Sequence, residues 1–123
     1  MEVDDSRPIW VQLVAEFRRR VATGAWAPGG KIPSVRELAI DLGVNPNTIQ
    51  RALAETDREG LTLTERTAGR FVTRDHDTIV RARRDLAEGT ADAFVEAISG
   101  MGLDLSEATE LLALRWAGRE EQQ

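Results

Sequence analysis

Asn47, Thr48, Gln50 and Arg51 fall within five consecutive positions. Two amides, a hydroxyl and a guanidinium so close together match the edges and backbone of a nucleic acid. An Asn or Gln amide pairs with the donor and acceptor of adenine, and an Arg fork fits guanine or a phosphate. Thr48 suits a phosphate or a base edge. Two further groups share this chemistry: Ser34 with Arg36 upstream, and Arg66 with Arg70 around Gly69 downstream.

Catalytic chemistry is scarce by comparison. The chain has no cysteine, which excludes disulfides, thiolate metal sites and cysteine nucleophiles. Its one histidine, His76, would have to serve any triad or metal site alone, and reads as a solvated residue at a segment boundary. An enzyme lacks the nucleophile, base and metal ligands it needs, and no cofactor is expected. RNA is disfavoured because aromatic residues for base stacking are only 5% of the chain.

A net charge of −5 opposes DNA binding unless it is segregated, and it is. Residues 1–75 hold 11 Lys/Arg against 11 Asp/Glu, a balance of zero, whereas residues 76–123 hold 5 against 10, a balance of −5. The first part must build its positive face locally, with modest long-range steering. No apolar run approaches the roughly 20 residues of a membrane span, and the N-terminus lacks a charged-then-apolar leader. A cytoplasmic protein with no membrane contact is expected.

The elements that position these groups follow from periodicity. Pro8 to Thr23 reads as a helix, with Ile9, Leu13, Phe17 and Val21 on one stripe, widened by Trp10 and Val14. Arg18, Arg19 and Arg20 splay outward as a solvated face. Pro28, Gly29, Gly30 and Pro33 mark a loop. Ser34-x-x-Glu37 is a capping box opening a short helix that buries Val35, Leu38, Ala39 and Leu42 and ends at Gly43. Asn45 and Pro46 start a third helix as N-cap and first-turn proline. At ~100° per residue, Ile49, Ala52, Leu53 and Thr56 form its core face. Asn47, Arg51, Ala54 and Arg58 lie opposite, with Gln50 on the flank.

From Leu61 the period becomes two: Leu61, Leu63 and Glu65 alternate with Thr62, Thr64 and Arg66, then Phe71-Val72-Thr73 returns after Thr67-Ala68-Gly69. A hairpin with Arg66 and Arg70 flanking its tip is expected. A long helix follows from about His76 to Ser99, with Gly89 a weak point inside it. Gly100 and Gly102 break it, and Asp104-x-x-Glu107 caps a last helix bearing Leu105, Ala108, Leu111, Leu112 and Trp116 on its apolar side.

The expected fold is mainly α with a small β-hairpin wing: a winged helix-turn-helix over 1–75, then a two-helix dimerisation unit over 76–123. A short helix, a tight turn and a helix with one polar face can enter the major groove. Ser34 and Asn45 are helix caps first and phosphate ligands second. An interaction module without sequence-specific DNA binding is the alternative, since the acidic C-terminal part could dock a basic partner.

The segments PGGKIPSVRELA (28–39), LGVNPNTIQRAL (42–53) and EGL (59–61) resemble the GntR family of bacterial transcription regulators. The resemblance spans roughly residues 7–74. It implies a winged helix-turn-helix that binds palindromic double-stranded operator DNA as a dimer. It places Arg36 at a phosphate-binding arginine, Asn45, Asn47, Thr48 and Gln50 at the start of the recognition helix, and Gly69 at the wing glycine. Pro46 and Gln50 stand where many relatives carry base-reading arginines, so base preference does not transfer. The wing usually has another glycine near Thr67 and a small polar residue at Arg70, which implies a stiffer wing with a different contact. Trp10 replaces a common tyrosine, a change of core or groove edge.

The tail resembles the YtrA-like branch, whose terminal helical pair serves dimerisation. Val80, Ala87, Ala91, Phe94, Ile98, Leu111 and Leu112 are the residues expected to form a homodimer. Forty-eight residues after the wing, 76–123, leave little room to enclose an effector in a cavity of ~300 Å³. Branch members commonly repress their own operons, which makes a homodimeric repressor the expected function.

Overall fold

The computed structural model describes residues 1–122. The elements run α1 (Ile9–Ala22), α2 (Val35–Leu42), α3 (Pro46–Arg58), β1 (Thr62–Glu65), β2 (Gly69–Val72), α4 (His76–Gly100) and α5 (Leu105–Glu121). They form two compact units, Met1–Leu86 and Ala87–Gln123. The first unit is a winged helix-turn-helix, and the second is a pair of helices.

Helix α1 starts after Pro8, whose carbonyl accepts from the Val11 and Gln12 N–H groups at 3.1 and 3.3 Å. Leu13, Phe17 and Val21 follow the expected stripe into the core, but Ile9, its first member, is 44% exposed. Next to the stripe, Gln12 is buried because its amide is spoken for: it accepts from the Asp4 N–H and donates to the Asp4 and Arg7 carbonyls. Phe17 is fully buried and stacks on Trp26 at 5.2 Å between centroids. Truncating such a side chain to alanine costs about 3–5 kcal/mol.

Both halves of the α2 capping box form: the Glu37 N–H donates to Ser34 Oγ at 3.1 Å and the Ser34 N–H to Glu37 Oε1 at 3.2 Å. Gly43 then stops α2 at φ +66°, a left-handed conformation that glycine adopts without a Cβ clash. Two residues on, Asn45 Oδ1 accepts from the Asn47 N–H at 2.8 Å and Pro46 occupies the first turn of α3. The helix-turn-helix angle is thus set by a cap, a glycine and a second cap within twelve residues. Ile49, Ala52 and Leu53 of α3 lie against Leu38 of α2 and the α1 stripe in one core.

The strands pair antiparallel, Thr62 with Val72, Leu63 with Phe71, Thr64 with Arg70 and Glu65 with Gly69. The loop before α2 braces the other edge of β2. Ile32 N–H donates to the Arg70 carbonyl at 2.8 Å, Val72 N–H to the Gly30 carbonyl at 2.9 Å, and Lys31 bridges Phe71. The expected alternation differs at one point. Leu61 and Thr62 are both buried, and Leu63 is 47% exposed. Leu61 precedes the strand, so the inward position is Thr62, whose hydroxyl lies 2.8 Å from that of Thr56.

The first unit extends beyond residue 75, where a boundary was expected, because Ile79 of α4 is buried in its core and Ala82 packs against it. In the second unit, α4 runs unbroken through Gly89 to Gly100. The Leu103 N–H returns to the Ile98 carbonyl at 3.3 Å, and Asp104 with Glu107 forms the expected capping box on α5. Among the described residues, no helix is long and apolar enough to cross a membrane.

Candidate nucleic-acid interface

Helix α3 is two-faced. Ile49, Ala52 and Leu53 are buried, whereas Asn45, Asn47, Gln50 and Arg51 are exposed and Thr48 is half-buried. The hydrogen-bonding side chains singled out in the sequence therefore share one solvent-facing side. At the neighbouring end of the unit, Ser34 and Arg36 are exposed at the start of α2. The Ser34 hydroxyl already serves the Glu37 N–H, but Val35 and Arg36 lie in the first turn, where N–H groups have no intrahelical acceptor and attract anions.

The arginines divide into occupied and available sets. Arg18 pairs with Glu59, Arg19 and Arg20 with Glu16, and Arg58 with Glu55. Of those on α1, Arg18 reaches the end of α3, while Arg19 and Arg20 share one carboxylate and Arg20 also lies over the Trp26 ring. The Arg19 hydrogen bond, opposed by partial burial and helped by Arg20, holds the Glu16 carboxyl below its ordinary range.

Arg70 flanks the wing turn, as expected, but its side chain is only 14% exposed and its Nη2 donates to Asp57 Oδ2 at 3.0 Å. Pairing opposite Thr64 turns Arg70 back toward α3, where Asp57 also accepts from the Thr62 and Thr64 hydroxyls. Arg66 remains exposed in the wing turn. Gly69 has φ +114°, and a Cβ there would sit 2.9 Å from Lys31 Cε, so the Lys31 stem crosses the wing at its glycine. Lys31 gave no signal in the sequence, because only the backbone bridge to Phe71 brings it to the hairpin.

Arg51 is available but held. Its Cζ lies 4.0 Å from the Trp10 ring centroid. Trp10 is packed against the core, so the ring is fixed from behind. His76 is exposed at the first position of α4, and the described residues contain no cluster able to hold a metal ion.

Two concavities lie elsewhere. One, of about 550 Å³, is lined by Ala15, Arg18, Glu59, Leu61, Arg81 and Leu86 of the first unit, among others. The second unit has an open apolar groove of about 350 Å³ between its helices. Ala91, Phe94, Ile98 and Leu112 line that groove together. Ala87 and Leu111 are exposed outside it, and Val80, 38% exposed, belongs to the first unit.

The model of the gntR family, bacterial regulatory proteins, matches residues 11–72. The HTH-type transcriptional repressor YtrA of Bacillus subtilis (strain 168) is 33% identical over 99 residues, 80% of this chain and 72% of YtrA. A GntR family transcriptional regulator from Listeria monocytogenes superposes with a TM-score of 0.80 at 35% identity, covering 90% of this chain and 97% of that one. AraR(DBD), solved in complex with an operator, superposes with a TM-score of 0.53 at 27% identity, covering 59% of this chain and 88% of that one. With its winged helix-turn-helix and, later in the chain, a helical pair, the chain is a DNA-binding transcription regulator and belongs to the gntR family, in the YtrA-like branch.

Proposed function

We propose that the protein is a homodimeric repressor that binds a palindromic operator in the DNA upstream of its own gene. The observation that carries this reading is the exposed face of α3: Asn47, Gln50 and Arg51 stand in solvent on a helix whose other side is locked into the core. A major groove ~12 Å wide admits such a helix, and its N-terminal residues meet base edges. Asn47 and Gln50 are the candidates for adenine. Asn45, Thr48, Ser34 and Arg36 fit the flanking phosphates, with Arg66 and the Gly69 turn of the wing beside the groove.

Dimerisation is supported by the second unit, where Leu105 lines the apolar groove at 82% exposure and Trp116, elsewhere on α5, is 65% exposed. A large unpartnered apolar surface on a small unit is costly in water, and a two-fold mate covers it with itself. Two-fold symmetry then sets half-sites about one helical turn, ~34 Å, or a multiple apart. The similarity to YtrA, a repressor, supports the sign of regulation.

Fluorescence anisotropy against the upstream fragment and a scrambled control, at two salt concentrations, tests the reading. Preference for the genuine fragment by ~10³-fold or more is expected. Equal, salt-erased binding to both would reduce the contact to generic electrostatics.

A further inference from the structure

Arg51 differs from the five paired arginines in what holds it. Among the described residues it takes part in no ion pair, whereas Arg18, Arg19, Arg20, Arg58 and Arg70 are each paired to a carboxylate. Instead its guanidinium lies over the ring of Trp10, 4.0 Å from the centroid. A guanidinium held by a ring rather than by a carboxylate keeps its N–H donors for another acceptor, such as an anion. A carboxylate partner would have taken part of that donor set.

Position narrows the ligand. Trp10 stands in the first turn of α1, so Arg51 is tethered to the α1 side of the polar face of α3. A side chain held at the margin of the reading face suits the phosphates that flank a groove. We propose that Trp10 is a positioning residue that presents the Arg51 guanidinium to a DNA phosphate. The ring restricts Arg51 before binding, so less rotamer freedom is lost when the contact forms. This inference rests on the DNA-binding reading above and adds to it a residue that touches no DNA itself.

The test is a double-mutant cycle with Trp10→Leu and Arg51→Ala in the full chain, read by anisotropy on the upstream and scrambled fragments across a salt series. Arg51→Ala should weaken both fragments alike and reduce the slope of log affinity against log salt by about 0.9, the value for one phosphate contact. Trp10→Leu should weaken both by roughly two- to fivefold, the scale of an exposed cation–π contact. In the Arg51→Ala background, Trp10→Leu should cost nothing more. Trp10→Phe, which keeps an aromatic face, should retain part of the affinity and guards against a folding defect in Trp10→Leu.

An equal loss from Trp10→Leu with or without Arg51 would overturn the inference, as would no loss from Trp10→Leu where Arg51→Ala weakens binding. Loss confined to the upstream fragment would assign Arg51 to a base and overturn the phosphate contact. If the wild type binds both fragments equally, sequence-specific regulation fails but the cycle still decides the Trp10 role. If it binds neither, both readings fall.

Discussion

The Arg70 guanidinium donates to both carboxylate oxygens of Asp57, from Nε at 3.2 Å to each and from Nη2 at 3.0 Å to Oδ2. Asp57 is in the last turn of α3, Arg70 is on β2, and the Thr62 and Thr64 hydroxyls of β1 donate to the same carboxylate. One side chain of the recognition helix therefore fastens both strands of the wing. The wing cannot shift against α3 without breaking that set, so helix and wing meet DNA as one body.

Removing the acceptor should cost more than removing the donor. Asp57→Ala leaves a mostly buried guanidinium unpaired and two hydroxyls without their acceptor. A loss of about 1–3 kcal/mol is expected in urea unfolding. Arg70→Met removes the charge together with its need for a partner, and should cost less. An Asp57→Ala midpoint unchanged from wild type would show that the tie contributes nothing to the fold, and equal losses would show that stranding the guanidinium adds no cost.

The wing turn contains a strained residue. Thr67 has φ +66°, a left-handed conformation disfavoured for a β-branched side chain. Glycine is the residue that the family resemblance leads one to expect near this position. Thr67→Gly should therefore stabilise the protein by about 0.5–1 kcal/mol after the greater freedom of the unfolded chain is offset. Gly69→Ala should do the reverse, since φ is +114° there and the new Cβ would press on Lys31. Thermal melts of the two variants should move in opposite directions, and a lower Tm for Thr67→Gly would sink the strain argument.

What the sequence disclosed were the features encoded locally. Ser34 with Glu37, Asp104 with Glu107, Asn45 with Pro46 and the stop at Gly43 are each complete within four residues, and each forms as read. Period alone placed Leu13, Phe17, Ile49 and Leu53 in the core. Most of what it did not disclose is tertiary. The tie from Arg70 could not be read because nothing near it in sequence shows that Asp57 will face it. The contact between Trp10 and Arg51 could not be read either, because two helices separate them in the chain. Lys31 joins the wing only through a backbone bridge, and the first unit outruns residue 75 only because Ile79 finds the core.

Acid should weaken the fold partly through Glu16. Its carboxyl is held below the ordinary value of 4.5, first by the Arg19 hydrogen bond, with burial opposing. A depressed folded value means that the stabilisation is full above the unfolded value and is lost as pH falls through the folded one. Glu16→Gln should thus be less stable than wild type at pH 7, with the gap closing as pH falls through the lowered folded value. Urea midpoints across an acid pH series read this directly, and a gap that is constant across pH would mean that the carboxylate charge is irrelevant.

The proposed dimer makes a sharper demand on the second unit. Phe94 and Ile98 of α4 and Leu112 of α5 line one apolar groove, and Leu112 is 49% exposed there. If a second copy covers that surface, Leu112→Glu buries a carboxylate without a partner in the interface. The dimer should then weaken by at least ~100-fold, the equivalent of about 2.7 kcal/mol. The first unit has its own compact core, so the variant should remain folded and its helical signal unchanged. A monomer engages one half-site, so affinity for the upstream fragment should fall by an order of magnitude or more while generic DNA binding persists. Analytical ultracentrifugation at micromolar concentration separates the outcomes: a wild-type dimer and a variant monomer support the interface, and an unchanged mass for the variant moves dimerisation off this groove.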